Sequence, residues 1–187
     1  RKFITTGEGG IITTNDDVWA DRIESYKHFG ITKAVERQEV VFELMGTNSK
    51  LTNLQSAIGL VQMMHIEELL AKRIYLANNY LDLLHGHPKI QLPVTTPGGV
   101  HSRQSFCVFV EDRNRVMRSM RAAGIEVQIG TYALHMHPAF RPGPLVDVRG
   151  EMTGSTRAFE TCLALPLFHD LTKAQQSTVV ERLVQEL

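Results

Sequence analysis

The sequence has two cysteines among 187 residues, no excess of either charge and no long apolar run. Cys107 and Cys162 lie in apolar segments without a C-x-x-C spacing, which predicts buried thiols in a reducing compartment. Twenty Lys and Arg residues balance 20 Asp and Glu residues, which argues against a nucleic-acid-binding or membrane-surface protein. No run approaches the roughly 18 apolar residues of a membrane span, and no signal-peptide pattern is found. We therefore expect a cytoplasmic protein.

What the sequence does contain is enough apolar material for a core. Hydrophobic residues make up 43% of the chain, and its length predicts one large domain or two small ones. The one dense basic run, which we interpret as the solvated face of a helix, comprises Arg113, Arg115, Arg118 and Arg121. The chain opens without an initiator Met and in a β-rich run, so we expect it to be part of a longer protein.

The first 50 residues predict a hairpin, a helix and a long irregular segment. Residues 3–6 and 11–14 are β-rich runs around the turn sequence GEGG. Asn15 or Asp16 caps a helix that continues to about Phe29, with an apolar face of Val18, Trp19, Ile23, Tyr26 and Phe29. Residues 31–50 show no clean period and predict a functional or interfacial excursion.

A capping box at Thr52 and Gln55 starts a long helix that we expect to reach about His85. Its first part, residues 54–64, is apolar almost all round, which predicts burial on several sides. From Glu67 the pattern becomes amphipathic. A helix that changes character in this way suits a bridge between two domains, and we place the domain boundary between residues 66 and 67.

The remaining residues alternate between strand and helix patterns. We expect strands at 105–110 and 125–129, with a helix from Asp112 to Ala123 between them. A Pro- and Gly-rich loop at 130–150 precedes a helix from about Ser155 to Cys162. A second capping box begins the last helix at Thr172. The alternation predicts an α/β or α+β layer.

Lys2 is the first candidate for chemistry, since it stands before a β-rich run and a glycine-rich turn. A lysine amine whose charged form is disfavoured becomes nucleophilic and can form a Schiff base with a carbonyl compound. Composition alone favours the alternative that Lys2 is an ordinary solvated lysine. The residues around it change that balance.

Residues 2–16, KFITTGEGGIITTND, resemble the cofactor-lysine segment of the DegT/StrS family of sugar aminotransferases, which are fold-type I enzymes that use pyridoxal 5'-phosphate (PLP). Four later segments are similar to the same family in the same order: KHFGI at 27–31, GTNSKLTNLQSAIG at 46–59, IGTYALHMHPAF at 129–140 and LPLF at 165–168. The resemblance therefore covers nearly the whole chain. It implies the tail of the fold-type I large domain in residues 1–66 and the small C-terminal α+β domain in residues 67–187.

The resemblance also implies roles for individual residues. Lys2 would carry PLP as a Schiff base and serve as the acid and base of transamination. Asn48 would reach the PLP phosphate of the neighbouring subunit, which implies a homodimer with shared active sites. Lys50 stands where the family commonly has Arg and would bind substrate without the bidentate fork. Tyr132 and His135 would lie on the substrate side. Related dehydratases replace the lysine with histidine, so Lys2 favours transamination of a keto-sugar nucleotide by an amino-acid donor.

The family's phosphate-binding helix start, its cofactor-stacking aromatic residue and its acidic partner for the pyridine nitrogen all precede the lysine, and this sequence has no counterpart of them. We therefore expect these 187 residues alone to be inactive. Two alternatives stay open. The H-x-H pairs His85/His87 and His135/His137 allow a metal site, although no further ligand has regular spacing. The apolar residues 54–64 allow a non-catalytic binding or dimerisation module.

Overall fold

The computed structural model describes residues 2, 4–31 and 40–187, which form two compact units. The N-terminal unit consists of residues 4–65, and the C-terminal unit consists of residues 66–187 together with Lys2. The division between the units falls directly after His65. Each unit is described below by itself.

The described residues of the N-terminal unit form two helices, α1 (Asp17–Lys27) and α2 (Asn53–Met64). The carboxylate of Asp16 caps α1 by accepting hydrogen bonds from the amides of Val18 and Trp19, at 2.9 and 3.2 Å. The predicted capping box of α2 is confirmed, because the Thr52 hydroxyl accepts from the Gln55 amide and the Gln55 side chain accepts from the Thr52 amide. Both caps satisfy backbone donors that the first helical turn leaves unpaired.

The predicted hairpin is wrong for the described residues, since neither 4–6 nor 11–14 forms a strand; residue 3 lies outside them. Backbone groups of residues 5 and 8 instead form hydrogen bonds with glutamine side chains of α2. Gln62 accepts from the Thr5 amide at 2.8 Å and donates to the Thr5 carbonyl, and Gln55 donates to the Glu8 carbonyl at 2.8 Å. These amides satisfy backbone groups that a second strand would otherwise have paired.

The expectation that α2 is buried on several sides is also wrong for this chain. No residue of α2 is buried, and the predicted apolar face of α1 is largely exposed as well. The physical reason is size: a unit with only two short described helices has too little surface to enclose an all-round apolar helix. The most exposed apolar side chains of the unit are Met45, Ile11, Met64, Leu54 and Val18.

The C-terminal unit begins with α3 (Ile66–Leu84), so the single helix predicted for residues 53–85 is two helices. The amide of His65 donates to the Gln62 carbonyl at 3.1 Å, which tightens the end of α2 and ends it. Glu67 and Glu68 in the first turn of α3 then favour a new helix N-terminus, where the helix dipole stabilises negative charge.

The later elements follow the predicted alternation except for the strand Cys162–Leu165, which the sequence pattern did not predict. They are β1 (Phe106–Phe109), α4 (Arg113–Ala122), β2 (Gln128–Ile129), α5 (Thr153–Thr161), β3 (Cys162–Leu165) and α6 (Lys173–Gln185). Two short 3-10 turns, Leu134–Met136 and Pro138–Phe140, lie within the predicted loop at 130–150. The sheet order is β1-β3-β2, and both pairings are antiparallel.

The core lies between one face of this sheet and the three longer helices of the unit. Phe106, Val108, Leu163 and Leu165 alternate toward that face and are all buried. The helices contribute Leu76, Ala77, Tyr80, Leu84, Val116, Met120, Val179, Val180 and Leu183. The opposite face of the sheet is formed by the alternate residues Cys107 and Ala164, which pair across β1 and β3.

Two sequence expectations about this unit need correction. Arg113, which we assigned to a solvated helix face, is only 2% exposed, because its side chain packs against Phe159 of α5; the other three arginines of the run are exposed. Cys162 is buried as predicted, but Cys107 is only half-buried. Neither is in a disulfide. None of the helices in the described ranges is both long and apolar enough to cross a membrane.

Candidate active site

Lys2 lines a shallow depression of about 320 Å³ in the C-terminal unit. The depression is also lined by polar side chains that precede β1 or belong to the β2 region: Gln104, Ser105, Glu126 and Gln128. Gly130 and residues 164–167, at the end of β3, complete it. A depression lined by a lysine together with amide, hydroxyl and carboxylate side chains can hold a polar substrate, and its amine can react with a carbonyl group.

The sheet explains why these polar residues gather. Gln128 pairs with Ala164, and Ala164 pairs with Cys107, so side chains of β2, β3 and β1 share the face opposite the core. Ser105 directly precedes β1 and continues the same edge of the sheet. Sequence reasoning missed Gln104, Glu126 and Gln128 because single polar residues in a strand pattern carry no motif. The alternation within 125–129 is the only signal that could have found Gln128.

The loop after β2 carries two predicted site residues, Tyr132 and His135. It starts at Gly130, whose amide donates to the Cys162 carbonyl at 3.0 Å. His135 is attached to α5 through a 3.1 Å hydrogen bond between its Nε2 atom and the Thr156 hydroxyl. The Tyr132 ring is half exposed, which leaves its phenol accessible.

An aromatic cluster supports this loop. The Phe159 ring of α5 lies 6.1 Å from the Tyr132 ring and 5.5 Å from the His137 ring, centroid to centroid, with His137 edge-on. Arg113 lies over the same Phe159 ring at 5.7 Å and donates to the Phe159 carbonyl at 2.6 Å. Burial lowers the pKa of Arg113, although the group stays charged at any ordinary pH.

The two thiols lie directly behind the start of the loop. A hydrogen bond with Cys107, followed by burial, raises the pKa of Cys162 well above its ordinary value. A neutral, buried thiol is a packing group and not a nucleophile. Cys162 therefore has no chemical role at the depression.

Asn48 and Lys50 belong to the N-terminal unit. Asn48 forms a short antiparallel bridge with His28, and the next amide, that of Ser49, donates to the Lys27 carbonyl at 3.0 Å. The Asn48 side chain is exposed and makes no hydrogen bond to any residue in the described part of the chain. Lys50 places its ammonium 4.4 Å from the centre of the Phe29 ring, a cation–π contact.

Two glycines allow the backbone around His28 to approach the backbone around Asn48 closely. Gly30 has a φ of 82°, and a Cβ atom there would overlap the Leu44 carbonyl oxygen. A Cβ atom on Gly46 would lie 2.6 Å from the Tyr26 carbonyl oxygen, closer than real Cβ contacts allow. Glycine at both positions lets the backbones of residues 28–31 and 43–49 lie in contact, and this contact fixes the position of Asn48. The described residues of the predicted excursion, 31 and 40–50, thus form backbone contacts with residues 26–30; residues 32–39 lie outside the described part of the chain.

The predicted site residues therefore fall into two groups. Lys2, Tyr132 and His135 belong to the C-terminal unit, and Asn48 and Lys50 belong to the N-terminal unit. The H-x-H pairs gain no additional ligands: among residues 2, 4–31 and 40–187, no three His, Cys, Asp or Glu side chains gather as a metal site requires. His135 is occupied by Thr156 instead.

Comparison with known proteins gives a family for this arrangement. The sequence model of the DegT/DnrJ/EryC1/StrS aminotransferase family matches residues 1–184. The chain is 30% identical over 197 residues to the GDP-perosamine synthase of Caulobacter vibrioides, covering 100% of this chain and 50% of that protein. It is 28% identical over 176 residues to the dTDP-3-amino-3,4,6-trideoxy-alpha-D-glucose transaminase of Streptomyces venezuelae, covering 94% and 45%.

A solved structure shares the fold. The sugar aminotransferase CalS13 from Micromonospora echinospora superimposes with a TM-score of 0.86 at 24% identity, covering 99% of this chain and 49% of that one. The chain spans between 36% and 50% of the length of the curated relatives it matches. Relatives of this kind thus contain a further half or more to which the 187 residues do not align.

Proposed function

Because the chain belongs to the DegT/DnrJ/EryC1/StrS aminotransferase family, we propose that the whole protein is a PLP-dependent aminotransferase that moves an amino group from an amino acid to a keto-sugar nucleotide. The observation that carries the proposal is Lys2, which precedes the TGEGG turn and lines a depression with polar side chains. The names of two relatives, a dTDP-sugar transaminase and a GDP-perosamine synthase, support a sugar nucleotide as substrate.

The residues present fit PLP at two positions. The Lys2 side chain is exposed and supplies the amine that an aldehyde cofactor needs, and the Asn48 amide is exposed and has no other partner among the described residues. Lys2 would hold the cofactor covalently, and Asn48 would donate to its phosphate. When bound, PLP supplies an electron sink for the carbon that gains or loses the amino group. Lys2 Nζ, once released, would hold a proton and deliver it to the reacting carbon.

Substrate contacts are assigned to three further residues. Tyr132 offers an accessible phenol, and His135 is oriented by Thr156 so that one ring nitrogen remains for substrate. Lys50 would place a single positive charge near an anionic substrate group, and its contact with Phe29 limits the directions it can take. A neutral protein that holds an anionic substrate by a few placed groups agrees with the net charge of zero.

The proposal includes an assembly and a location. We assign residues 1–66 to the PLP-binding large domain and residues 67–187 to the small domain, and we propose a homodimer in which Asn48 serves the neighbouring active site. The exposed apolar side chains of α1 and α2 support an extensive interface on the N-terminal unit. Two free thiols support a reducing compartment, the cytoplasm.

The experiment is borohydride trapping in the whole protein. We expect a yellow protein whose visible band disappears on reduction, with the cofactor fixed on the peptide that contains Lys2. Lys2→Arg should abolish the fixed label, and Lys173→Arg, an exposed lysine on α6, should leave it intact. Zinc in stoichiometric amount without pyridoxal would instead support the metal alternative. The 187 residues alone should give no visible band; a band there would overturn the expectation that they are inactive.

The role of Asn48 has its own test. In the whole protein, Asn48→Ala should lower PLP affinity by roughly tenfold or more, because a hydrogen bond to a charged phosphate is lost. Asn78→Ala, an exposed asparagine on α3, is the matched control and should leave the affinity unchanged. Equal PLP affinity in wild type and Asn48→Ala would remove Asn48 from the phosphate site.

A further inference from the structure

The start of the loop that carries Tyr132 and His135 lies unusually close to the sheet. A Cβ atom built on Gly130 would overlap the Cys162 Sγ atom, and it would lie 3.1 Å from the Cys162 Cβ atom and 3.3 Å from the Cys107 Sγ atom. Real Cβ contacts essentially never fall below 3.0 Å. The φ of Gly130 is not in the left-handed region, so the requirement for glycine comes from space and not from backbone conformation.

Both sulfur atoms therefore lie next to the position that a side chain of residue 130 would occupy. Cys107 and Cys162 lie on the sheet face opposite the core. Cys162 is buried, which restricts the movement of its thiol. The amide of Gly130 donates to the Cys162 carbonyl at 3.0 Å, which holds the glycine down on the sulfur. A methyl group at residue 130 would have to lift the chain or displace the thiol.

The distance between Gly130 and the sheet also determines the position of the rest of the loop. His135 is tied to Thr156 at 3.1 Å, and the Tyr132 ring leans on Phe159, so the loop lies on α5 as well as on the sheet. Because α5 ends where β3 begins at Cys162, all three attachments belong to one corner of the unit. Moving Gly130 away from Cys162 moves the loop relative to Thr156 and Phe159.

We propose that Gly130 is a positioning residue: its lack of a side chain seats the loop on the Cys162 and Cys107 thiols and so fixes where Tyr132 and His135 meet the substrate. The inference rests on the proposed function for its catalytic consequence only. The contact of the loop with the two thiols is a property of the fold, and hydrogen exchange can test it without an activity assay.

The first measurement is amide hydrogen exchange of residues 131–140 in the whole protein. Gly130→Ala should speed exchange in this segment by roughly tenfold, as overpacking by one methyl group predicts. Gly130→Ala with Cys162→Ala should restore most of the protection, since the overlapping sulfur is gone. The same change at Cys107, whose sulfur lies 3.3 Å away, should restore less. Gly154→Ala, where a Cβ meets nothing within 4 Å, should leave exchange unchanged.

The second measurement is steady-state transamination with the same variants. Gly130→Ala should lower kcat/KM for the keto-sugar nucleotide by roughly ten- to a hundredfold, mainly through KM, because the substrate-side groups are misplaced. Cys162→Ala should rescue it. Unchanged exchange in Gly130→Ala, or no rescue by Cys162→Ala, would overturn the positioning role. If the wild-type protein has no transaminase activity, while Gly130→Ala still speeds exchange and Cys162→Ala still reverses that effect, the proposed function is refuted and the position of the loop on the two thiols stands.

Discussion

Leu183 in the C-terminal unit is completely buried, whereas Leu54 in the N-terminal unit is 80% exposed. The two leucines sit on helices that begin with the same device, a Thr and Gln capping box, and both helices are regular. The difference between them therefore lies in packing and not in local sequence. The C-terminal unit closes a core with its own residues, and the N-terminal unit presents an apolar surface that its described residues do not cover.

The largest difference between the two units is expected when the buried leucine, Leu183, is truncated. Leu183→Ala should lower the free energy of unfolding by about 2–5 kcal/mol, because it removes buried methyl groups and leaves a cavity among α3, α6 and the sheet. Urea unfolding of the wild type and the variant, compared at equal slope, measures the loss. A loss below about 1 kcal/mol would mean that this core is loosely packed.

A buried and a half-buried glutamine, Gln176 and Gln62, give the next largest contrast. Gln176 donates to the Leu76 carbonyl at 2.8 Å and accepts from the Asn79 side chain at 2.9 Å inside the C-terminal unit. Gln176→Ala should lower the free energy of unfolding by about 1–3 kcal/mol, since the buried Leu76 carbonyl loses its side-chain donor. Gln62→Ala should cost less, because water replaces its bonds to exposed Thr5. Equal losses in urea unfolding would contradict the contrast.

The two capping boxes provide a matched pair. Thr172→Ala and Thr52→Ala each remove one cap hydrogen bond of 3.2 Å, worth about 1 kcal/mol to the helix. We expect the first to lower the unfolding free energy of the C-terminal unit and the second to speed amide exchange in α2 only. Hydrogen exchange resolved by segment separates the two outcomes. Global destabilisation by Thr52→Ala would show that α2 unfolds together with the C-terminal core.

The smallest effect is expected at Leu54. Leu54→Ala should change the free energy of unfolding by less than about 0.5 kcal/mol, because the side chain is in water already. Leu54→Lys should be equally neutral for folding in the isolated 187 residues and should reduce their self-association, measured by light scattering. A large destabilisation by either substitution would mean that α2 is covered in solution.

Much of the C-terminal unit could be predicted from the sequence, because its signals are local. The capping box at Thr172, the β-rich apolar run of β1 between polar segments and the glycine that ends α4 each act over a few residues. The strand β3 was missed, since four apolar residues directly after a helix carry no alternation that distinguishes them. Its position in the sheet depends on residues more than 30 positions away, which no local pattern records.

The candidate site was less predictable. The resemblance to the family supplied Lys2, Asn48, Lys50, Tyr132 and His135, and their roles remain predictions. The glycine at 130 could be read as part of a motif, but its closeness to two sulfur atoms arises from the pairing of three strands. The burial of Arg113 was missed for a similar reason: it depends on a contact with Phe159 of α5, which is 46 residues away in the chain.

The order of strands in the sheet has a consequence for how the C-terminal unit is made. Its central strand, β3, is the last of the three in the chain. Apart from the bridge between Phe109 and Gln91, β1 and β2 therefore lack their partner strand until residue 165 has been synthesised. The helix pair α3 and α6 likewise joins the two ends of the unit. Contacts between such distant residues form slowly, because a long loop must close before any of them is gained. The growing chain therefore holds β1 and β2 without their shared partner strand until β3 emerges, and the sheet is completed only by that strand.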